Sequence, residues 1–213
     1  MPATLMAAKL TRTGGILSSI DYYDHNAAAF VEQTLNVDMS ESYRKFLGLM
    51  PDGGSILDAG SGSGRDAAYF ISQGYKVEAF DASAEMVAAT QLNAGIPAIQ
   101  MSFEEFAWGY QFDGIWACAS LLHVKRALLP DVMQRMAKTL KDAGAMYASF
   151  KLGNEERVKA GRFFNDMDET ALTNVLNEVT ILALEQAWVS SDVRPERAAE
   201  LWLNCIIVKR GVA

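Results

Sequence analysis

Apolar and polar positions along the chain change period several times, and each change predicts an element. Residues 1 to about 18 show neither helical nor strand periodicity and are expected to be a mobile tail. From Asp21 the pattern turns helical. Tyr22, Tyr23, Ala27, Phe30, Val31 and Leu35 share one face, with Asp21 placed as the N-cap. A second amphipathic helix is expected from about Ser40 to Leu49, with Tyr43, Phe46 and Leu47 on one side, before Pro51 and Gly53-Gly54 mark a loop.

Short apolar runs then alternate with helical stretches. SILDA (55–59), YKVEAF (75–80), AIQM (98–101), FDGIWACA (112–119) and AMYASF (145–150) read as strands, with helices near 65–73, 83–92 and 128–141 between them. That alternation predicts βαβ units and a mostly parallel sheet covered on both faces. Right-handed crossovers leave few topologies. After a helix near 168–178, VTILALEQAWV (179–189) and LWLNCIIVK (201–209) flank the polar loop DVRPERAAE. Two long strand-like runs joined in this way predict a hairpin, so the last strand is expected to be antiparallel. No internal repeat, low-complexity segment or linker divides the chain, and one domain is expected over 19–213.

Charge narrows the function. The 213 residues carry 19 basic and 26 acidic side chains, a formal net charge of -7, which repels nucleic-acid backbones and anionic membranes alike. Cys118 and Cys205 lie in apolar runs and read as reduced core thiols, which leaves no disulfide scaffold. With two histidines and no Cys-x-x-Cys pair, a zinc site is not expected. No apolar run approaches the roughly 18 residues of a membrane span. The N-terminal stretch has no sustained apolar core of a signal peptide, so the expected compartment is the cytoplasm.

The segment ILDAGSGSGRD (56–66) is where chemistry first becomes specific. An apolar strand ends in a glycine-rich turn and a helix begins at once, which lets a ligand approach the backbone and meet unpaired N–H groups. The dinucleotide fingerprint G-x-G-x-x-G/A fails, because Arg65 stands where a small residue is needed. Asp58 beside the turn suits an ammonium or sulfonium ion better than a pyrophosphate. Asp81, at the end of the second strand, can accept both hydroxyls of a ribose and fits either kind of cofactor.

These residues carry a resemblance. ILDAGSGSG followed by VEAFDAS resembles the first two motifs of class I S-adenosylmethionine-dependent methyltransferases. FDGIWACASLLHV is similar to the fourth-strand motif of that superfamily, and LKDAGAMYASFK to its turn into strand five, with Asp142-Ala143-Gly144 in place of Pro-Gly-Gly. GSGSGRDAAYF, YYDHNAAAF and the late WLN resemble bacterial small-molecule branches, including tellurite-resistance-type methyltransferases. The resemblance implies an α/β fold, a Rossmann-like three-layer sandwich with a seven-stranded, mostly parallel sheet and an antiparallel last strand, plus N-terminal helices. It divides the domain into a helical cap (19–50), a cofactor-binding core (55–151), and a substrate-side helix with closing hairpin (152–213).

Carried over by position, the resemblance implies S-adenosylmethionine as cofactor and S-adenosylhomocysteine as product. Gly60, Ser61 and Gly62 would surround the methionine moiety, with Asp58 near its ammonium group and Arg65 alongside. Asp81 would hold the ribose. Ala82 and Met86 would line the adenine, opposed by Ser102 and Phe103, while Ala117 and Cys118 floor the site. Tyr22 and Tyr23 are candidates to close over the cofactor as an N-terminal lid, with helix packing as their alternative duty.

Methyl transfer from a sulfonium needs alignment and water exclusion, and a base only where the nucleophile must lose a proton. His123, after the fourth strand, is the candidate base; local packing is the alternative duty for it. The acceptor pocket is expected around Lys151, Arg157, Arg162, Phe163, Phe164 and Arg197, with Arg194, Trp202 and Asn204 as the residues named for substrate. ACAS at the fourth strand's end replaces the Asn/Asp-Pro-Pro-Tyr type of sequence used on DNA amines. The function expected is methyl transfer to a small molecule. A cofactor-binding module without catalysis, or a nicotinamide-dependent oxidoreductase, is the alternative. The sequence leaves the acceptor and the oligomeric state open.

Overall fold

In the computed structural model, which describes residues 18–211, five parallel strands form the centre of the molecule. They are β1 (Ser55–Ala59), β2 (Lys76–Asp81), β3 (Ala98–Gln100), β4 (Phe112–Ala117) and β5 (Leu140–Lys151). Two further strands, β8 (Leu182–Ser191) and β9 (Leu201–Lys209), complete a seven-stranded sheet in the order β3-β2-β1-β4-β5-β9-β8. β9 runs antiparallel to both neighbours. The glycine loop after β1 and the loop after β4 therefore open at the carboxyl edge, where the strand order reverses and a ligand crevice is expected.

Strand parity explains the two cores. Ile56, Trp116, Tyr147 and Ile206 point to one face, where Tyr43 and Phe46 of α2 (Ser40–Leu47) and Phe70 of α3 (Arg65–Ser72) cover them. Their neighbours Leu57, Ile115, Met146 and Ile207 point the other way, against Val132, Met133 and Met136 of α5 (Leu129–Lys138) and Leu172 and Val175 of α6 (Glu169–Asn177). Both faces are buried, as a parallel sheet requires. α4 (Ala84–Ala94) packs beside α3.

Several boundaries differ from the periodicity. The expected tail lies outside the described residues, apart from Ser18. α1 (Ser19–Thr34) begins earlier than expected, because Ser18 is the N-cap and Asp21 is the third helical residue. Asp21 N–H donates to Ser18 Oγ, and the Asp21 carboxylate accepts the Ser18 N–H at 2.9 Å in a reciprocal capping box. The helix expected to reach residue 141 stops at Lys138. β5 then starts at Leu140 opposite Phe112, and its register breaks before Gly114 pairs with Ala145. The last hairpin begins at Leu182 rather than at residue 179.

One element escaped the sequence reading altogether. β6 (Glu156–Lys159) and β7 (Arg162–Asn165) form a separate antiparallel hairpin after β5, turning through Ala160 at φ +50° and Gly161 at φ +77°. Positive φ at both central residues is the two-residue turn whose twist matches the flanking strands.

Candidate active site

The loop Gly60–Gly64 is pinned to both β2 and α4. Gly60 and Ser61 N–H both donate to the Phe80 carbonyl, at 2.9 and 3.0 Å, which fastens the turn to β2. Ser61 Oγ lies 2.8 Å from Thr90 Oγ1 of α4, and Asn93 Nδ2 donates to the Ser63 carbonyl at 2.8 Å. Gly60 has φ +76°, and a Cβ there would stand 2.4 Å from Ser120 Cβ. Only glycine satisfies both conditions.

Above the loop lies a cavity of about 730 Å³, within the range of small-molecule and cofactor sites. Asp81 stands in its wall. Oδ2 accepts the Gly62 N–H at 2.9 Å and Oδ1 the Ser83 N–H at 2.9 Å. Burial lifts the Asp81 carboxyl to about 6, against the pull of these backbone donors. Ala82, Met86, Met101 and Phe103 add an apolar slot beside it.

Helix α1 closes over this half. Asp24 Oδ1 accepts the Ser83 hydroxyl at 2.5 Å, and the Phe30 ring faces Gly62. At the other end of α1, Ser19 Oγ accepts the Phe163 N–H at 3.0 Å. The helix bends at Asn26 (φ -117°, ψ 16°), whose side chain donates to the Tyr22 carbonyl at 2.7 Å.

Beneath the loop, the acidic centre is Asp66 rather than Asp58. Arg65 grips Asp66 with Nε and Nη2 at 2.7 and 2.8 Å, Trp116 Nε1 donates to it at 2.8 Å, and the Tyr43 hydroxyl donates to it as well. Burial alone would raise this carboxyl, but those donors hold it below the usual range. Asp58, 2% exposed, stands outside the cavity lining with Oδ2 unpartnered. Burial and the Asp66 charge push it well up. Cys118 lines the cavity as a free thiol within 3.7 Å of Arg65 Nη2, and burial raises it to about 12. Ser102 and Ala117 do not line the cavity either. Ser102 caps a turn through Glu105, its hydroxyl donating at 2.8 Å, and Ala117 is buried in the core.

The second half of the cavity holds His123, Tyr23, Arg194, Trp202 and Asn204, so the residues expected for the acceptor share one space with all those expected for the cofactor except Asp58, Ser102 and Ala117. His123 sits in a 3₁₀ turn after β4, with Nε2 2.9 Å from the Tyr23 hydroxyl and Nδ1 2.6 Å from the Phe163 carbonyl. Burial lowers it to about 4, and the Arg162 charge adds to that shift. Asp192 is the hub of the far wall. Arg194 holds it through Nε and Nη2 at 2.8 and 2.7 Å, Lys151 Nζ lies 3.1 Å away and Trp202 Nε1 donates at 3.1 Å. Lys151 also bonds Glu200 and sits 3.9 Å over the Trp202 ring. Asn204 accepts the Tyr147 hydroxyl at 2.7 Å and donates to Ser190 Oγ at 2.9 Å, which meets the hydrogen-bonding need expected of an amide in an apolar strand.

Sequence reasoning passed over Asp66 and Asp192. Either reads as an ordinary surface acid until the fold brings several donors to it. Among the described residues no group of three or more His, Cys, Asp or Glu could hold a metal ion, and no helix is long and apolar enough to cross a membrane.

Residues 56–144 match the family described as Methyltransferase domain. The matched segment is similar to that domain. It contains the glycine loop, Asp81 and the turn that carries His123. No curated protein matches the sequence significantly. Solved structures do match the fold. A 1,6-didemethyltoxoflavin-N1-methyltransferase from Burkholderia thailandensis, with 1,6-didemethyltoxoflavin and S-adenosylhomocysteine bound, is 21% identical at a TM-score of 0.71, covering 89% of this chain and 84% of its own. The CcbJ methyltransferase from Streptomyces caelestis is 16% identical at 0.69, covering 90% and 98%. A magnesium protoporphyrin IX methyltransferase from Synechocystis, with S-adenosylmethionine bound, is 15% identical at 0.67, covering 89% and 94%.

Proposed function

We propose that this protein is a cytoplasmic enzyme transferring a methyl group from S-adenosylmethionine to a small-molecule acceptor. The observation that carries the reading is the Asp81 carboxylate, oriented by Gly62 and Ser83 N–H groups, in the same cavity as the glycine loop and the acceptor wall.

The residues fit the cofactor. Each Asp81 oxygen accepts one backbone donor and keeps a lone pair free for a ribose hydroxyl. Ala82, Met86 and Phe103 suit the adenine, while Gly60, Ser61 and Gly62 offer the methionine moiety backbone it can approach closely. Asp58 stands outside the cavity lining with one buried oxygen unpartnered, so it would meet the ammonium group through water.

When bound, S-adenosylmethionine supplies a carbon already activated for in-line displacement, with the electron pair of the breaking bond leaving on sulfur. The chain has to aim the nucleophile and keep water out. Tyr23, Phe30 and the rest of α1 roof the cavity for that purpose. His123 is neutral at physiological pH, and its one free ring nitrogen already receives the Tyr23 hydroxyl. A proton leaving the acceptor could pass to His123 only through Tyr23, so alignment carries most of the catalysis.

The tellurite-resistance likeness rests on GSGSGRDAAYF, YYDHNAAAF and WLN; the acceptor is better read from the pocket wall. The test is a thermal-shift series with S-adenosylhomocysteine, S-adenosylmethionine, NADH and NADPH. A ligand at about 100 times its Kd adds roughly 2.7 kcal/mol, or several degrees. Stabilisation by the adenosyl-sulfur ligands alone is expected; stabilisation by a nicotinamide nucleotide alone overturns the reading. Release of labelled methyl to an acceptor then separates an enzyme from a binding module.

A further inference from the structure

We propose that the methyl acceptor carries a carboxylate or similar oxyanion, and that Arg162 receives it. This rests on the methyltransferase reading and extends it to the class of acceptor.

Arg162 opens β7 and reaches the cavity wall. Three of the cations beside it have close carboxylate partners. Lys151 is held by Asp192 and Glu200, Arg194 by Asp192, and Arg157 by Asp166. Among the described residues Arg162 has no carboxylate partner, and its Nε is buried without a hydrogen-bond acceptor. What surrounds it is mainly aromatic: the guanidinium lies 4.2 Å over the Tyr22 ring, 5.1 Å from that of Phe164 and 6.0 Å from that of Tyr23, whose hydroxyl is also within its reach. Rings engage the face of a guanidinium and leave its N–H edge for hydrogen bonds. A planar oxyanion matches that edge with two parallel bonds.

Charge on this side of the cavity points the same way. Lys151, Arg157, Lys159, Arg162, Arg194 and Arg197 line it, and among the described residues Asp192 and Glu200 in the lining and Asp166 behind Arg157 oppose them, in a chain whose net charge is -7. Position makes Arg162 useful. It adjoins Phe163, whose carbonyl fixes the His123 ring, and it packs on Tyr23, whose hydroxyl bonds that ring. An anion held by Arg162 thus lies beside the pair that faces the reacting end of the acceptor.

The methionine end of the cofactor also bears a carboxylate, so the test separates the two sources. Binding of S-adenosylhomocysteine to the full chain is measured first. Benzoate, phenylphosphonate and benzamide are then titrated calorimetrically into that saturated complex, for the wild type, Arg162→Gln and Arg162→Lys. We expect benzoate or phenylphosphonate to bind at least tenfold more tightly than uncharged benzamide. Arg162→Gln should erase that preference and leave S-adenosylhomocysteine affinity within about twofold of wild type. Arg162→Lys keeps the charge without the fork, should retain part of the preference, and serves if the glutamine variant does not fold. Equal binding of benzamide, no binding of either anion, or an unchanged preference in Arg162→Gln overturns the assignment. A parallel loss of S-adenosylhomocysteine affinity in Arg162→Gln assigns the residue to the cofactor's carboxylate and equally overturns it. Failure of the wild type to bind S-adenosylhomocysteine is a different result, which removes the cofactor reading itself and this assignment with it.

Discussion

The Tyr23 hydroxyl lies 2.9 Å from Nε2 of His123, and the direction of that bond is set from the far side of the ring. Nδ1 meets the Phe163 carbonyl oxygen, which can only accept, so Nδ1 carries the proton and Nε2 receives the Tyr23 O–H. A second proton would place a cation in a buried site next to Arg162.

Stability should therefore depend on pH through this ring. His123 titrates near 6.5 when unfolded and at about 4 in the fold, so the unfolded chain takes up the proton first as pH falls. Its contribution is complete above about pH 6.5 and is lost toward pH 4, amounting to about 2–3 kcal/mol by pH 4.5. Urea unfolding at pH 7 and pH 4.5 reads this directly. His123→Gln should lose less stability between the two pH values than the wild type, and an equal loss would reject the assignment.

Asp81 gives a test on the cofactor side. Asp81→Ala removes two charge-assisted hydrogen bonds worth about 1.5–3 kcal/mol each, so S-adenosylhomocysteine should bind at least about tenfold more weakly. In the free protein this carboxyl titrates at about 6, and the ribose hydroxyls need its charged form. Wild-type affinity should then decline as pH drops through 6, while that of Asp81→Ala stays level. Calorimetric titration at pH 5, 6 and 7.5 covers both points.

Gly60→Ala should cost about 2–4 kcal/mol, combining a left-handed backbone with overpacking. The obstacle is firm. The Cβ would meet Ser120, whose hydroxyl is tied to the Ala59 carbonyl at 2.7 Å and cannot swing aside without breaking that bond. A melting temperature within a degree of wild type would show that the loop relaxes instead.

Ala160→Asn is predicted to stabilise. Alanine at φ +50° is disfavoured where asparagine is tolerated, and Asn-Gly suits this hairpin turn, for a gain of about 0.5–1 kcal/mol. Denaturant unfolding should show the midpoint rising with the slope unchanged.

That alanine also explains what the sequence concealed. Ala160-Gly161 lacks the Asn-Gly or Asp-Gly signature of a two-residue hairpin, and Arg157, Lys159 and Arg162 make its strands look like polar loop. The βαβ core was legible because buried strands read as unbroken apolar runs, and the glycine loop because its backbone tolerates nothing else. Asp81 followed from its place at a strand end. Asp66 did not, since its donors Tyr43, Arg65 and Trp116 converge only in the folded chain. Ala143, at φ +61° in the turn within β5, likewise gave no glycine signal, which let the α5 pattern overrun into the strand.

Helix α1 is anchored at Ser83 on the side of Asp81 and at Phe163 on the side of Arg162, with the bend at Asn26 beyond both anchors. One helix therefore enters two binding equilibria. Whatever factor an acceptor applies to cofactor affinity by steadying α1, the cofactor must return to the acceptor, because the two couplings are a single free energy. Titrating S-adenosylhomocysteine with and without saturating benzoate, and benzoate with and without S-adenosylhomocysteine, measures that factor from both directions. A factor of one would mean that the roof is already set before either ligand arrives.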